Sequence, residues 1–109
     1  MRMQWVAVAV SLALGGSALA DDAPADIWKA KCKGCHGEDG RAKTRVGQKE
    51  NIPDFTTQEW QKHNSDEEIR KVITDGSEEN RKMKAFKDRL TPAEIDSLVK
   101  YIRDMGKKK

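Results

Sequence analysis

Two stretches of the chain carry apolar residues at helical spacing behind a clear start signal. Ser65 begins the first stretch and Glu68 follows it three residues later, the pair that forms a capping box. Apolar residues then recur every three or four positions until Gly76, a residue type that commonly ends helices. The apolar positions are Ile69, Val72 and Ile73. This pattern predicts a helix from Ser65 to Gly76.

The second stretch repeats the same device near the end of the chain. Thr91 and Glu94 form another candidate capping box, and Pro92 suits the first turn of a helix. A single apolar stripe runs from there to Gly106. Its members are Ile95, Leu98, Val99 and Ile102.

The remaining segments predict one short helix and two loops. Pro24 opens a helical mix that contains Ile27 and Trp28 and is expected to end near Gly34. Residues 36–57 and 76–90 are rich in charged residues and show neither the helical nor the alternating period. No stretch has strand periodicity. The predicted fold class is therefore all-α, with three main helices and two long loops.

The first twenty residues differ from the rest of the chain. Arg2 precedes an uncharged apolar run, and Ala18 and Ala20 provide the small side chains that a signal peptidase requires. The run is shorter than the about 20 residues that span a membrane, which argues against an uncleaved anchor. We predict a cleaved secretory signal peptide at residues 1–20, a single domain at residues 21–109, and a periplasmic location.

Composition indicates that this domain needs more than its own side chains to fill its core. Hydrophobic residues make up 37% of the sequence and charged residues 36%. A domain of this size buries a modest fraction of its surface and often depends on a disulfide, a metal or a cofactor. The next question is which residues could hold such a group.

Cys32, Cys35 and His36 form a Cys-x-x-Cys-His motif, which is typical of covalent haem c attachment outside the cytoplasm. A structural disulfide is the first alternative, but so short a loop adds little stability. A zinc or cluster site needs further ligands, and His63 is the one histidine left to supply one. A thioredoxin-like site needs a strand that the pattern lacks. We predict one haem per chain, bound through both cysteines, with His36 as the proximal iron ligand.

With this motif, the chain resembles the class I cytochromes c, in their small monohaem bacterial branch. The resemblance covers the whole mature sequence. It rests on CKGCHG from Cys32, IPDFT from Ile52, SDEEIRKVITDG from Ser65, the loop residue Met83, and LTPAEIDSLVKYIR from Leu90. It implies a cytochrome c fold in which the first and last helices cross beside the haem, with Trp28 and Tyr101 as the aromatic pair at the crossing.

The sixth iron ligand is expected to be Met83. This methionine lies in the loop before the last helix, where the family that the chain resembles keeps its axial methionine, although Lys84 stands where proline usually follows. Met105 is expected at a fraying C-terminal end. His63 is expected to be a solvated residue before a helix cap.

Four further residues are predicted to surround the haem. The resemblance implies that the Pro53 carbonyl accepts a hydrogen bond from the second ring nitrogen of His36, which would fix the imidazole tautomer. Trp60 carries an indole N–H suited to a haem propionate, or packs under the loop. Phe55 and Phe86 are expected to form the haem wall and the core at once.

Closed histidine and methionine ligation leaves the iron no position for a substrate, which predicts a one-electron carrier rather than an enzyme. Two alternatives stay open. A displaceable sixth ligand would give a haem enzyme or a sensor of gas or peroxide. Tight association would make the chain an electron-transfer subunit of a larger oxidoreductase.

Charge adds a prediction about partners. The 21 basic residues exceed the 18 acidic ones by three, and removal of Arg2 with the signal peptide lowers this excess to two. So small and mixed an excess does not indicate nucleic-acid binding. Lysines flanking the predicted haem segments either steer an acidic redox partner or are simply solvated. We expect the protein to be a monomer. These lysines are Lys31, Lys33, Lys43, Lys84 and Lys87.

Overall fold

The computed structural model describes residues 21–107, and the predicted signal peptide lies outside these residues. The described part contains helices and no strand, which confirms the all-α prediction. Within it, no helix combines the length and the apolar character needed to cross a membrane. The helical elements are α1 (Pro24–Ile27), a π-helical turn (Trp28–Cys32), α2 (Lys33–His36), α3 (Arg45–Lys49), α4 (Gln58–His63), α5 (Asp66–Asp75) and α6 (Pro92–Met105).

The first three elements form one continuous helical run over residues 24–36. Pro24 stands at its start, where the missing N–H costs no intrahelical hydrogen bond. The run ends after His36, two residues later than predicted. It ends there because Gly37 has φ +84°, a backbone conformation that residues other than glycine rarely adopt. The helix therefore includes the whole Cys-x-x-Cys-His motif.

Both capping boxes are present as predicted. The Ser65 and Thr91 hydroxyls accept from the backbone N–H groups of Glu68 and Glu94, and these carboxylates accept from the N-cap backbone in return. The helices that follow are α5 and α6. Val72 is 39% exposed, so α5 presents a narrower apolar stripe than its sequence indicated.

The core lies where α6 packs against α1 and α5. The predicted stripe on α6 is fully buried, with Leu98 at 1% exposure. Residues from the loops complete the cluster, so the core depends on segments without an apolar period of their own. Its members are Ile27, Trp28, Phe55, Ile69, Ile73, Phe86, Leu90, Ile95, Leu98, Val99, Ile102 and Met105.

Two short helices lie in and after the segment that was predicted as the first long loop. The side chain of Thr44 caps α3 by accepting from the backbone N–H of Gly47, and Thr57 caps α4 by accepting from that of Trp60. Helices of five and six residues are too short to display a repeating apolar stripe, so periodicity did not reveal them.

Met105 does not lie at a fraying end, as the sequence suggested, but is the last residue of α6 and 5% exposed. Side chains from α4 hold this end of the helix. The Gln58 amide donates to the Gly106 carbonyl at 2.7 Å, and the Gln61 amide donates to the Ile102 carbonyl at 3.1 Å. Carbonyls at a helix end otherwise lack intrahelical partners, so these bonds stabilise the last turn.

Arg103 strengthens the same contact between α4 and α6. Its guanidinium donates to the backbone and side-chain oxygens of Gln61, both at 2.8 Å, and pairs with Asp66 at 2.6 Å. The side chain is half-buried, so this forked set of bonds is shielded more than an ordinary surface pair. The end of α6 is thus fixed to the segment that joins α4 and α5.

The start of α6 is joined to the N-terminal segment through Glu94. One carboxylate oxygen accepts from the backbone N–H of Thr91 and the other from that of Asp22, both at 2.9 Å. The Thr91 hydroxyl also donates to the Asp21 carboxylate at 2.9 Å. The hydrogen bonds from Thr91 and Asp22 hold the pKa of Glu94 below its ordinary value.

This depressed pKa predicts an acid-sensitive step in stability. A carboxyl group whose pKa is lower in the folded state stabilises the fold above its unfolded pKa, near 4.5, and loses that contribution as the pH falls further. Glu94→Gln is therefore expected to lower the melting temperature of the haem-loaded protein at pH 7. The loss should shrink as the pH falls below about 4.5, as thermal melts followed by circular dichroism can measure.

Glu68→Gln is the matched control because Glu68 occupies the same position in the capping box of α5. Both variants lose a capping-box carboxylate, so the difference between them reports what Glu94 has in addition, which is the bond to Asp22 and its burial. Equal melting temperatures for the two variants at every pH would contradict the assigned role of Glu94.

Candidate functional site

The Cys-x-x-Cys-His motif lies at the end of the first helical run. Cys32 is the last residue of the π-helical turn, and Cys35 and His36 belong to α2. Both thiols are free and partly exposed. The spacing of three residues places the two sulfur atoms on one side of the helix, where a single flat ligand can meet both.

The segment after the motif folds back onto this helix end. The backbone N–H of Ala42 donates to the His36 carbonyl at 2.8 Å, and the Thr44 hydroxyl donates to the Cys35 carbonyl at 2.7 Å. At Gly47 a Cβ atom would stand 2.2 Å from the Ala42 carbonyl oxygen, so glycine permits this close approach. The helix end is thus held by Ala42 and Thr44, which follow the motif closely in the sequence.

The His36 imidazole packs against two aromatic rings, which also contact each other. Its centroid lies 4.8 Å from that of Phe55, in a stacked arrangement, and 5.7 Å from that of Trp28. Burial lowers the pKa of His36 to about 4, so the ring is neutral at neutral pH. A neutral imidazole is the form that binds a metal.

The Nδ1 atom of His36 is buried and has no hydrogen-bond partner among the described residues. The predicted bond to the Pro53 carbonyl is therefore not formed in the structure. Pro53 is exposed and lines a cleft with Trp60 and His63. The loop after the motif instead contacts the helix end through Ala42 and Thr44, which come earlier in that loop than Pro53.

The environment of Cys32 is unsuited to thiol–disulfide exchange. Burial raises the pKa of this thiol to about 11, Lys31 lowers it less, and the neighbouring Cys35 adds to the rise. Redox-active cysteines instead have lowered pKa values, because the thiolate is the nucleophile. Cys32 stays protonated at neutral pH, which disfavours a thioredoxin-like role.

The residues around the motif fit a covalently attached haem better than a bare metal ion. Within residues 21–107, no group of three or more His, Cys, Asp or Glu side chains is arranged to hold a metal. His63, the other histidine, is exposed at the end of α4, as predicted, with Nδ1 2.8 Å from the Glu59 carbonyl oxygen. Two thiols three residues apart and one half-buried, neutral imidazole form a donor set that fits haem c.

Met83 lies in the loop between α5 and α6, half-buried and packed against the core cluster. Its carbonyl accepts from the backbone N–H of Ser77 at 3.2 Å, and its own N–H donates to the Asn80 carbonyl at 3.0 Å. This loop meets the earlier one where Lys82 pairs with Glu50 at 3.9 Å. The loop that carries Met83 is therefore joined to the earlier loop and packed on the core.

The predicted aromatic residues gather near His36, with Phe86 elsewhere in the same core. Trp28 and Tyr101 pair at 5.6 Å between centroids, which confirms the helix crossing that the resemblance implied. Trp60 packs on Phe55 at 4.3 Å, and Phe55 and Phe86 are both buried. Thr44 and Gly47, which hold the helix end, were missed because their partners are not evident from the sequence.

Comparisons with known proteins find c-type cytochromes. The family model described as cytochrome C oxidase, cbb3-type, subunit III matches residues 19–102. Among solved structures, the KustC0563 c-type cytochrome is 36% identical, with a TM-score of 0.70 and coverage of 77% of this chain and 98% of that chain. A point mutant of the same cytochrome is also 36% identical, with a TM-score of 0.68 and coverage of 77% and 99%.

None of the curated proteins compared with the chain matches it. The family match spans well over half of the chain, and the solved cytochromes align over nearly their whole length. The chain belongs to the family described as cytochrome C oxidase, cbb3-type, subunit III, and it is a small c-type cytochrome.

Proposed function

We propose that this cytochrome is an exported one-electron carrier with a single covalent haem c. The observation that carries the proposal is the helix end that presents the Cys32 and Cys35 thiols beside a half-buried His36, whose ring is stacked on Phe55. The cysteines would bind the haem edge through thioether bonds, and His36 would bind the iron. The proposal includes a signal peptide at residues 1–20, cleaved on export to the periplasm.

Met83 is the proposed sixth ligand. Its loop position and partly buried thioether support this role, as does the resemblance to cytochromes with an axial methionine. When bound, the haem would supply reversible one-electron exchange, and His36 and Met83 would hold its iron and leave no open position for a substrate. The residues around it would then exclude substrates instead of activating them, so we propose a carrier and not an enzyme.

The aromatic side chains would provide the apolar surroundings of the haem. Phe55 is stacked on His36 and backed by Trp60, while Phe86 belongs to the core near Met83. Their burial keeps water away from the site, which tunes the potential of a bound haem. Trp60 is half-buried, so its indole N–H is the proposed partner for a haem propionate.

Exposed lysines support a redox partner with an acidic docking surface. Lys31 and Lys33 flank the first cysteine, and Lys84 and Lys87 flank the Met83 loop, all of them exposed. Positive charge around the entry to a redox site attracts negatively charged surfaces and raises the association rate. A monomer with these charges suits transient encounters.

The family description favours a second candidate function. The matched family is named for a subunit of a cytochrome oxidase, and the second candidate is accordingly a subunit held permanently in a larger oxidoreductase. The same haem and ligands would serve in either case. The two candidates differ in whether the chain is released alone or together with its partner.

Replacing either cysteine tests the attachment site. Cys32→Ser or Cys35→Ser is expected to lower the yield of covalent haem strongly, and the double variant should lose it, because serine forms no thioether. Haem staining of denatured protein after electrophoresis, against an equal loading of the parent, measures this directly. Parental staining in the double variant would refute the attachment site.

Replacing Met83 tests the sixth ligand. Met83→Ala is expected to open the iron to water, lower the reduction potential and introduce peroxidase activity, as measured by optical spectra, redox titration and peroxide turnover. Met105→Ala is the matched control, since it removes the other methionine of residues 21–107. Because Met105 is buried, this control should cost about 2–5 kcal/mol of stability yet keep the parental spectrum.

The opposite result would reassign the ligand. A parental spectrum in Met83→Ala, together with an altered one in Met105→Ala or His63→Ala, would show that another residue binds the iron.

The state of the native protein separates a free carrier from a subunit. We expect osmotic shock of cells that express it to release a monomer, and size-exclusion chromatography measures its mass. Its electron-transfer rate with an acidic partner should fall as salt is added, because exposed charges are screened beyond about 8 Å at physiological ionic strength. Recovery of the chain only within a larger membrane-bound complex would support the subunit instead.

A further inference from the structure

Trp28 makes a buried hydrogen bond that the sequence did not predict. Its indole N–H donates to the carbonyl of Gly37 at 2.9 Å, and the side chain is 2% exposed. Gly37 directly follows His36, so this bond joins the start of the π-helical turn to the residue after the proximal histidine. A buried N–H left without an acceptor would be costly, which favours a persistent bond.

The backbone of Trp28 contacts the other side of the motif. Its carbonyl accepts from the backbone N–H of Lys33, the wide bond that defines the π-helical turn. Trp28 is therefore bonded to residues that precede and follow Cys35 and His36. Turns of this kind are rare and occur often at functional sites.

The peptide groups around His36 are all engaged as a result. The Gly37 N–H donates to the Lys33 carbonyl at 2.9 Å, and the His36 carbonyl accepts from Ala42 at 2.8 Å. The Gly37 carbonyl also accepts from the Gly40 N–H, at the longer distance of 3.3 Å. Trp28 supplies the shorter bond to this carbonyl, and it is the part of the first helix that reaches across the motif.

We propose that Trp28 is a positioning residue for His36. Its indole N–H fixes the Gly37 peptide, and its ring, 5.7 Å from the imidazole, limits how far the imidazole can turn. Together they hold the histidine in one orientation toward the haem iron. This inference rests on the proposed function, in which His36 binds that iron.

Packing at the helix crossing is a separate role of the same side chain. Trp28 also pairs with Tyr101, and a phenyl ring at position 28 would keep much of that contact. The indole N–H is the group that distinguishes positioning from packing. A test must therefore remove the N–H and keep the ring.

Trp28→Phe in the haem-loaded protein is the first variant. The expected results are a shifted reduction potential and a second low-spin signal in the electron paramagnetic resonance spectrum of the oxidised protein, because the imidazole gains a second orientation. The closer variant replaces Trp28 by benzothienylalanine, which has sulfur in place of the ring N–H and keeps the shape. It should give the same two changes, and it replaces Trp28→Phe as the test if that variant does not fold.

Tyr101→Leu is the matched structural control. It weakens the helix crossing and is expected to lower the melting temperature, but it leaves the bond from Trp28 to Gly37 and should keep the parental potential and a single signal. Hydrogen exchange of the parent adds a direct measurement, since the buried, hydrogen-bonded Trp28 indole N–H should be protected from exchange with solvent.

A benzothienylalanine variant with the parental potential and a single low-spin signal would overturn the proposal and leave Trp28 as a packing residue. The parent itself separates this failure from failure of the proposed function. If its spectra show no histidine bound to iron, the ligand assignment is wrong. If they do show one, the variants decide the role of Trp28 alone.

Discussion

The arrangement of the site depends on how the first helical run ends. A helix leaves its last carbonyls without intrahelical partners, and here those carbonyls belong to the Cys-x-x-Cys-His motif and the glycine that follows it. Thr44 and Ala42 supply donors for Cys35 and His36, and Trp28 supplies one for Gly37. Because the helix end and the following segment satisfy each other, the two thiols and the imidazole keep a fixed relation without any strand or disulfide.

Burial sets the chemistry of the same residues. It lowers the pKa of His36 and raises that of Cys32, so the imidazole is neutral and the Cys32 thiol is protonated at neutral pH. A neutral imidazole suits metal ligation, and a protonated, partly buried thiol is a poor centre for disulfide exchange. One environment therefore favours haem binding and disfavours the principal rival chemistry of a Cys-x-x-Cys pair.

Local signals in the sequence were enough to predict the two long helices and to identify the Cys-x-x-Cys-His motif. The capping boxes at Ser65 and Thr91 and the stripe on α6 involve residues three or four apart, so their partners are evident without a fold. Contacts between distant segments were not evident. Met105 was misplaced because the amides that hold its helix end come from α4, more than forty residues earlier, and the bond expected at Pro53 was inferred from a family position rather than from its surroundings.

The two sides of the proposed haem site are held by different kinds of contact. The proximal side has buried hydrogen bonds and stacked rings around His36. The loop of Met83 is tied to the other loop by Glu50, whose contacts with Asn80 and Lys82 are long, at 3.4 and 3.9 Å, and partly exposed. Exposed pairs of this kind contribute at most about 1 kcal/mol. If Met83 is the sixth ligand, as we propose, exchange of an iron ligand should begin where the two loops meet, and the stability of that contact would then decide between a closed carrier and a site open to small ligands.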